Sequence, residues 1–192
     1  MLSSATDAAY VLWYFEDSDY RRAGIFQQMG HRANFVVIRD QQATAFYDQW
    51  AGLGCIYTFA EGPTKAVACL KATKETDELM DWAFAEGGYL IDFDNKLAMG
   101  FGSPFDEFDL DELGEANDNA MTAFQAFNSA YERGPLAFLE HIAPAWPGWK
   151  LVWDERSVDA FATYLESLGL TNISCQPASH PESIEAAVVF QA

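Results

Sequence analysis

The sequence is short of cations, of cysteine and of long apolar runs, and each shortage narrows what the chain can do. It carries 11 Lys and Arg against 29 Asp and Glu, a formal net charge of −18. Such a field repels nucleic-acid phosphates and anionic membrane surfaces and attracts cationic partners. No nucleic-acid or membrane partner is therefore expected. The three cysteines, Cys55, Cys69 and Cys175, are odd in number, widely spaced and without a Cys-x-x-Cys pair. That argues against a disulfide scaffold or a zinc site and predicts buried thiols. His31, His141 and His180 are scattered, with no His-x-x-x-His or Glu-x-x-His spacing, so no metal is expected and each is assigned to the surface or to a helix cap. The start of the chain, MLSSATDAAYVLWYFEDSD, has neither a basic region nor an apolar run long enough for a signal peptide or a membrane span. A cytoplasmic location is the expectation. A Gly-rich phosphate loop, a nucleophile elbow and a Cys-His dyad are likewise missing, so no cofactor is implied and the motifs do not favour an enzyme.

What is present is enough apolar material for one core. Of the 192 residues 50% are hydrophobic and 15% aromatic, including six Trp, which is long enough for one good-sized core and short for two. A single domain over residues 1–192 is expected, with the acidic stretch at 102–118 the best place for any subdivision.

Strand and helix signals alternate. The run AYVLWYF at 9–15 predicts a buried strand, and Ser18 can cap a helix at 19–29 that stops at Gly30. NFVVIR at 34–39 predicts a second strand. Asp40 is a cap for a helix carrying Ala43, Phe46, Tyr47 and Trp50, and residues 55–59 a third strand before a turn at Glu61-Gly62-Pro63. Residues 66–72 fit either the return strand of a hairpin or the start of a helix running on to Ala85; Val67, Cys69 and the preceding turn favour the strand, with a helix from about Thr76. Further on, helices are predicted at 116–132, with Met121, Phe124, Phe127, Ala130 and Tyr131 on one stripe, and from Pro135 through His141. The rigid PAWPGW turn should wedge its Trp residues against the core. A strand at 150–153 leads to a helix capped by Ser157, with Val158, Phe161, Tyr164, Leu165 and Leu168 inward and Gly169 ending it. Weak strand signals occupy 172–175 and 186–190. Together these predict an α+β fold with a mixed, mainly antiparallel sheet packed with several helices.

The organising stretch is WAFAEGGYLIDFDNKLAMGF at 82–101, the end of a helix followed by a β-hairpin, with Gly87-Gly88 as the helix stop. Side chains alternate faces along a strand. Tyr89, Ile91 and Phe93 share a face with Leu97, Met99 and Phe101 only if the loop is odd in length, the shortest being Asp94-Asn95-Lys96. The last loop residue should then be left-handed, where Gly or Asn is easier than Lys. A wider loop also fits.

An apolar strand ending in Asp92-x-Asp94 resembles the opening of the active site in haloacid dehalogenase-like phosphatases. That resemblance implies a metal-dependent hydrolase with Asp92 as nucleophile and Asp94 as general acid. The chain departs from the pattern at Lys96, where the motif wants Thr or Val, in the returning strand LAMGFG, and in having no clear Asp-Asp pair downstream. Turn carboxylates on a hairpin are the simpler reading.

The densest acid lies in GSPFDEFDLDELGEANDN. Asp106, Glu107, Asp109, Asp111, Glu112 and Glu115 are interleaved with Phe105, Phe108, Leu110 and Leu113. The segment fails as a calcium loop, because Leu113 and Ala120 fall on ligand positions. As a solvated face it is ordinary; as a docking surface it offers carboxylates for steering and apolar anchors for a basic protein.

Trp82 followed by Gly87-Gly88-x-Leu90-x-Asp92, and then Trp146-Pro147-Gly148-Trp149 ahead of Trp153, resembles a loosely defined set of uncharacterised bacterial proteins with such a hairpin and strand. Trp82 is one residue farther from Gly87 than that pattern has it. The resemblance covers roughly the second half of the chain and brings no catalytic residue. Small acidic bacterial proteins of this style include immunity proteins of toxin systems. The implied function is an acidic protein-binding domain, an immunity-type inhibitor of a basic toxin; the alternatives are the hydrolase above and a structural or oligomerising domain.

Overall fold

The computed structural model describes residues 31–80, 85–104, 118–175 and 187–192. The chain runs through β1 (Ala33–Arg39), β2 (Gln42–Asp48), α1 (Cys55–Ala60), α2 (Pro63–Cys69), β3 (Lys74–Thr76), β4 (Glu78–Leu79), β5 (Gly87–Asp92) and β6 (Leu97–Phe101). It continues through α3 (Asp118–Glu132), α4 (Pro135–Ile142), β7 (Lys150–Trp153), α5 (Val158–Ser167), β8 (Ser174–Cys175) and β9 (Val188–Gln191). Seven strands make one sheet in the order β3-β2-β1-β5-β6-β7-β9, and β4 and β8 pair separately. Within the main sheet β1/β5 and β6/β7 are parallel and the other neighbours antiparallel. The fold is α+β with a mixed, mainly antiparallel sheet.

Strand alternation sorts the core into two layers. Phe35, Val37, Tyr89, Ile91, Ala98 and Leu151 face one side, where α1, α2, α3 and α4 cover them. Val36, Ile38, Leu90, Leu97, Met99 and Val152 face the other, under α5. With both faces covered, β5 and β6 are buried along their whole length. This explains why they stand in the sequence as nearly unbroken apolar runs. The PAWPGW turn seats Trp146, fully buried, so that its indole Nε1 donates to the Phe59 carbonyl at 3.0 Å, with the Trp149 ring 5.2 Å away. Among the described residues no helix is long and apolar enough to cross a membrane.

Four local expectations are corrected. Residues 42–48 are not a helix but β2, joined to β1 by the two-residue turn Asp40-Gln41, both left-handed at φ 52° and 59°. Residues 55–59 are α1 rather than a strand: Gly54, itself left-handed, starts a six-residue helix that buries Cys55, Ile56, Tyr57 and Phe59. Burial on nearly every side erases the helical period from the sequence. The strand expected at 66–72 is mostly α2, whose first residue is Pro63 behind Gly62, a placement in which proline's missing N–H costs nothing. Residues 74–76 and 78–79 are strands where a helix was expected from Thr76.

The central hairpin forms, but in a different register and with Gly87 and Gly88 inside β5 rather than stopping a helix. Asp92 pairs with Leu97 across a four-residue loop, placing Ile91 opposite Ala98 and Tyr89 opposite Gly100. Packing supplies the reason. Phe59 of α1 sits over Gly100, where an added Cβ would come within 3.1 Å of its ring. Large residues on that face of β5 are therefore matched by small ones on β6. Lys96 does take the left-handed conformation, φ 49°.

At the level of single residues, Cys55 is buried but Cys69 is exposed, Leu168 is 39% exposed, and Ser157 makes no side-chain cap bond to α5. The elements expected at 9–15 and 19–29 lie outside the described residues.

Candidate functional site

The sheet has two places where parallel neighbours end side by side, and the structure treats them differently. At the first, the carboxyl ends of β1 and β5, stand Asp92 and Asp94. Asp92 is fully buried. Its Oδ1 accepts the backbone N–H groups of Asp94 and Asn95 at 2.9 and 3.1 Å, and its Oδ2 accepts Asn95 Nδ2 and the Tyr164 hydroxyl at 2.8 and 2.7 Å. A carboxylate has about four lone-pair sites, and each here has a donor. Tyr164 is held protonated, its pKa raised by burial and then by the Asp92 hydrogen bond. Asp94 turns to the neighbouring hairpin, accepting the backbone N–H groups of Asp40 and Gln41 at 3.0 and 2.8 Å. The two carboxylates that sequence singles out thus knit together two turns and a helix.

The second place is a cleft of about 260 Å³ at the opposite end of the sheet, where parallel β6 and β7 finish. The next helix after β6 among the described residues, α3, packs on one face, and the helix after β7, α5, on the other. Chain leaving neighbouring parallel strands toward opposite faces opens a crevice beyond their carboxyl ends, the usual ligand position in open sheets. Phe101 and Gly102 line it from β6, and Trp153, Glu155 and Ser157 from β7 and its turn. Ala85 and Glu86, ahead of β5, and Tyr131, on α3, line it as well.

No family model, curated protein or solved structure matches this chain. The cleft is accordingly read from its own chemistry, which is acidic and aromatic. Glu86 and Glu155 are both exposed. Glu86 Oε2 lies 2.9 Å from His31 Nδ1. The Tyr131 hydroxyl donates to the Gly102 carbonyl at 2.8 Å, and its ring meets Trp153 edge-on at 6.0 Å. Its pKa is raised by burial and, next, by the Glu155 carboxylate, so the phenol stays neutral. One neighbouring cation, Arg156, is committed: Nε and Nη2 reach buried Asp154 at 2.9 and 2.6 Å.

Ser157 is the unusual member. It sits at φ 62°, ψ −132°, a region nearly reserved for glycine. It is only 6% exposed, and its hydroxyl has no hydrogen-bond partner among the described residues. Buried polar atoms are seldom left this way.

Asp106, Glu107, Asp109, Asp111, Glu112 and Glu115 lie outside the described residues. Among those described, no group of three or more His, Cys, Asp or Glu is placed to hold a metal ion. Sequence reasoning missed the cleft because its residues come from four separate stretches. The one signal it had was the polar Asp154-Glu155-Arg156-Ser157 junction between an apolar strand and a helix, where Ser157 passed for an ordinary cap.

Proposed function

We propose that this chain is an acidic protein-binding domain that captures a basic protein, as an immunity-type inhibitor does with its toxin. The observation that carries the reading is the uncompensated acid: a net charge of −18, with Arg156 and Lys65 already paired to Asp154 and Glu61. A surface of this kind accelerates encounter with a cation-rich partner and disfavours nucleic acid. Two features of the fold support it. The carboxylates of Asp92 and Asp94 are engaged by donors of the protein itself, which suits bracing better than turnover. The cleft at the ends of β6 and β7 presents acid over aromatic walls, a surface for cationic groups. The segment carrying Asp106 to Glu115, with its interleaved Phe and Leu, is assigned to the same binding role, and a cytoplasmic location goes with it.

Capture on the immobilised chain with elution by a salt gradient, followed by titration of the purified partner, tests the reading. A basic protein whose affinity falls as salt rises is expected. Retention of no basic protein at low ionic strength overturns it.

A further inference from the structure

We infer that the outer edge of β9 is a dimerisation surface, on which a second copy of this chain lays its own β9 antiparallel and joins the two sheets into one. β9 is the last strand of the main sheet and pairs there only with β7. The Ala192 N–H donates to the Trp149 carbonyl at 2.8 Å, and the Ala192 carbonyl accepts the Gly148 N–H at 3.1 Å. The backbone groups of Ala192 therefore point toward β7. Along a strand these groups alternate between its two sides, which directs those of Phe190 and Val188 to β7 as well and those of Val189 and Gln191 outward. Among the described residues nothing bonds the outward groups.

The two edges of the main sheet are built differently. At the far edge β3 is only Lys74-Glu75-Thr76, short and mostly charged, a construction that resists pairing with another chain. Residues 187–192, AVVFQA, carry no charge, proline or glycine, and Val189 is 51% exposed. Such an edge is a template for a further strand. With one edge of this kind on each main sheet, antiparallel pairing closes at two copies and does not propagate into a fibre.

The edge also selects its strand. β9 offers no carboxylate to a cation-rich segment, whose Lys or Arg side chains would lie against Phe190 and Val189. A second β9 is uncharged and complementary by symmetry. With the twofold axis at Phe190, Val189 faces Gln191 of the second copy and Gln191 faces its Val189, and each pair exchanges two hydrogen bonds. The two Phe190 side chains then stand opposite one another on the face that α4 covers, where Phe190 is only partly buried; aromatic pairs across neighbouring strands are favourable. The charge of −18 on each copy opposes the approach, but at roughly 0.15 M salt it is screened beyond about 8 Å. A contact built on so short a strand belongs among small interfaces, below about 1,200 Å², so the dimer is weak and salt-dependent.

Sedimentation equilibrium and amide hydrogen exchange of the whole chain test the inference. Between about 0.02 and 0.5 M NaCl the dissociation constant should fall about fivefold as repulsion is screened. Capture of a basic protein weakens over the same range, so loss of either behaviour leaves the other standing. Where the dimer forms, the Val189 and Gln191 amides should gain protection that they lack in dilute solution. Val189→Pro removes an outward N–H and leaves the bonds to β7 in place, while Val189→Asp keeps the backbone and sets a carboxylate on the edge of each copy. Each should raise the dissociation constant about tenfold, with the thermal midpoint of dilute protein showing that the monomer is folded. A chain still monomeric at about 1 mM in about 0.5 M NaCl overturns the inference. So does a dimer whose Val189 and Gln191 amides stay unprotected, equal association of wild type and V189D, or protection of these amides by a basic protein in place of a second copy.

Discussion

The Tyr164 hydroxyl, carried on α5, donates to Asp92 Oδ2 at 2.7 Å and so fastens a helix on one face of the sheet to the loop of its central hairpin. Asp92→Asn leaves an NH2 group facing donors and should cost about 2–3 kcal/mol, against about 1 kcal/mol for Tyr164→Phe. In urea unfolding the two changes together should cost less than their sum, because they remove one shared bond. Strict additivity would show that the bond contributes nothing.

Asp94 substitutes for turn chemistry that the β1–β2 hairpin lacks. Two-residue turns with both residues left-handed favour Asn-Gly, and here the pair is Asp40-Gln41, with the Asp94 carboxylate on both N–H groups. Asp94→Ala should destabilise by about 1 kcal/mol. Gln41→Gly should stabilise the native chain by about 0.5–1 kcal/mol and offset much of the Asp94→Ala loss, since glycine accepts positive φ without strain. Failure of Gln41→Gly to stabilise either background would refute the account.

At Gly88 the backbone of β5 lies close against β1. A Cβ there would strike the Asn34 carbonyl and come 3.0 Å from the Phe101 ring. Backbone cannot move aside as a side-chain tip can, so Gly88→Ala should cost about 3 kcal/mol or more, in the range of severe overpacking. Thermal unfolding followed by near-ultraviolet circular dichroism would detect it; an unchanged midpoint would contradict the close pairing of the strands.

Burial pushes the Cys55 thiol up from 9.0 to about 12. A group whose folded pKa is raised contributes stability that is complete below the unfolded value and disappears as pH rises through the folded one. Stability should therefore hold to about pH 9 and decline toward pH 12. Tyr89 and Tyr164, also raised first of all by burial, add to the loss above pH 10. At about pH 8, a thiol reagent should modify exposed Cys69 quickly and Cys55 only at the rate of unfolding. Rapid native-state labelling of Cys55, mapped by peptide mass, is the opposing outcome.

Identical signals were legible in one place and missed in another. Gly134-Pro135 announces α4, and Gly62-Pro63 announces α2 with nearly the same glycine conformation, φ 102° and 93°. The second was mistaken for a turn before a strand because Val67 and Cys69 suggest β structure, a preference that packing overrides. At α1 no pattern was available, since CIYTFA has the composition of a strand and is buried almost all round. The cleft was illegible for a related reason. Glu86, Tyr131, Glu155 and Ser157 come together only when β6 and β7 lie side by side.

By itself the sequence determined the composition-driven properties: an acidic field, one core's worth of apolar residues, the α+β class, the hairpin at 87–101 and the helices α3, α4 and α5. These depend on neighbours along the chain or on sums over it. Only the tertiary structure decided the hairpin's register, because Phe59 of α1 occupies the space over Gly100. It also decided the use of Asp92 and Asp94, because their donors come from turns and a helix distant in sequence. The position of the cleft, too, depends on strand order, a long-range property that no local pattern carries.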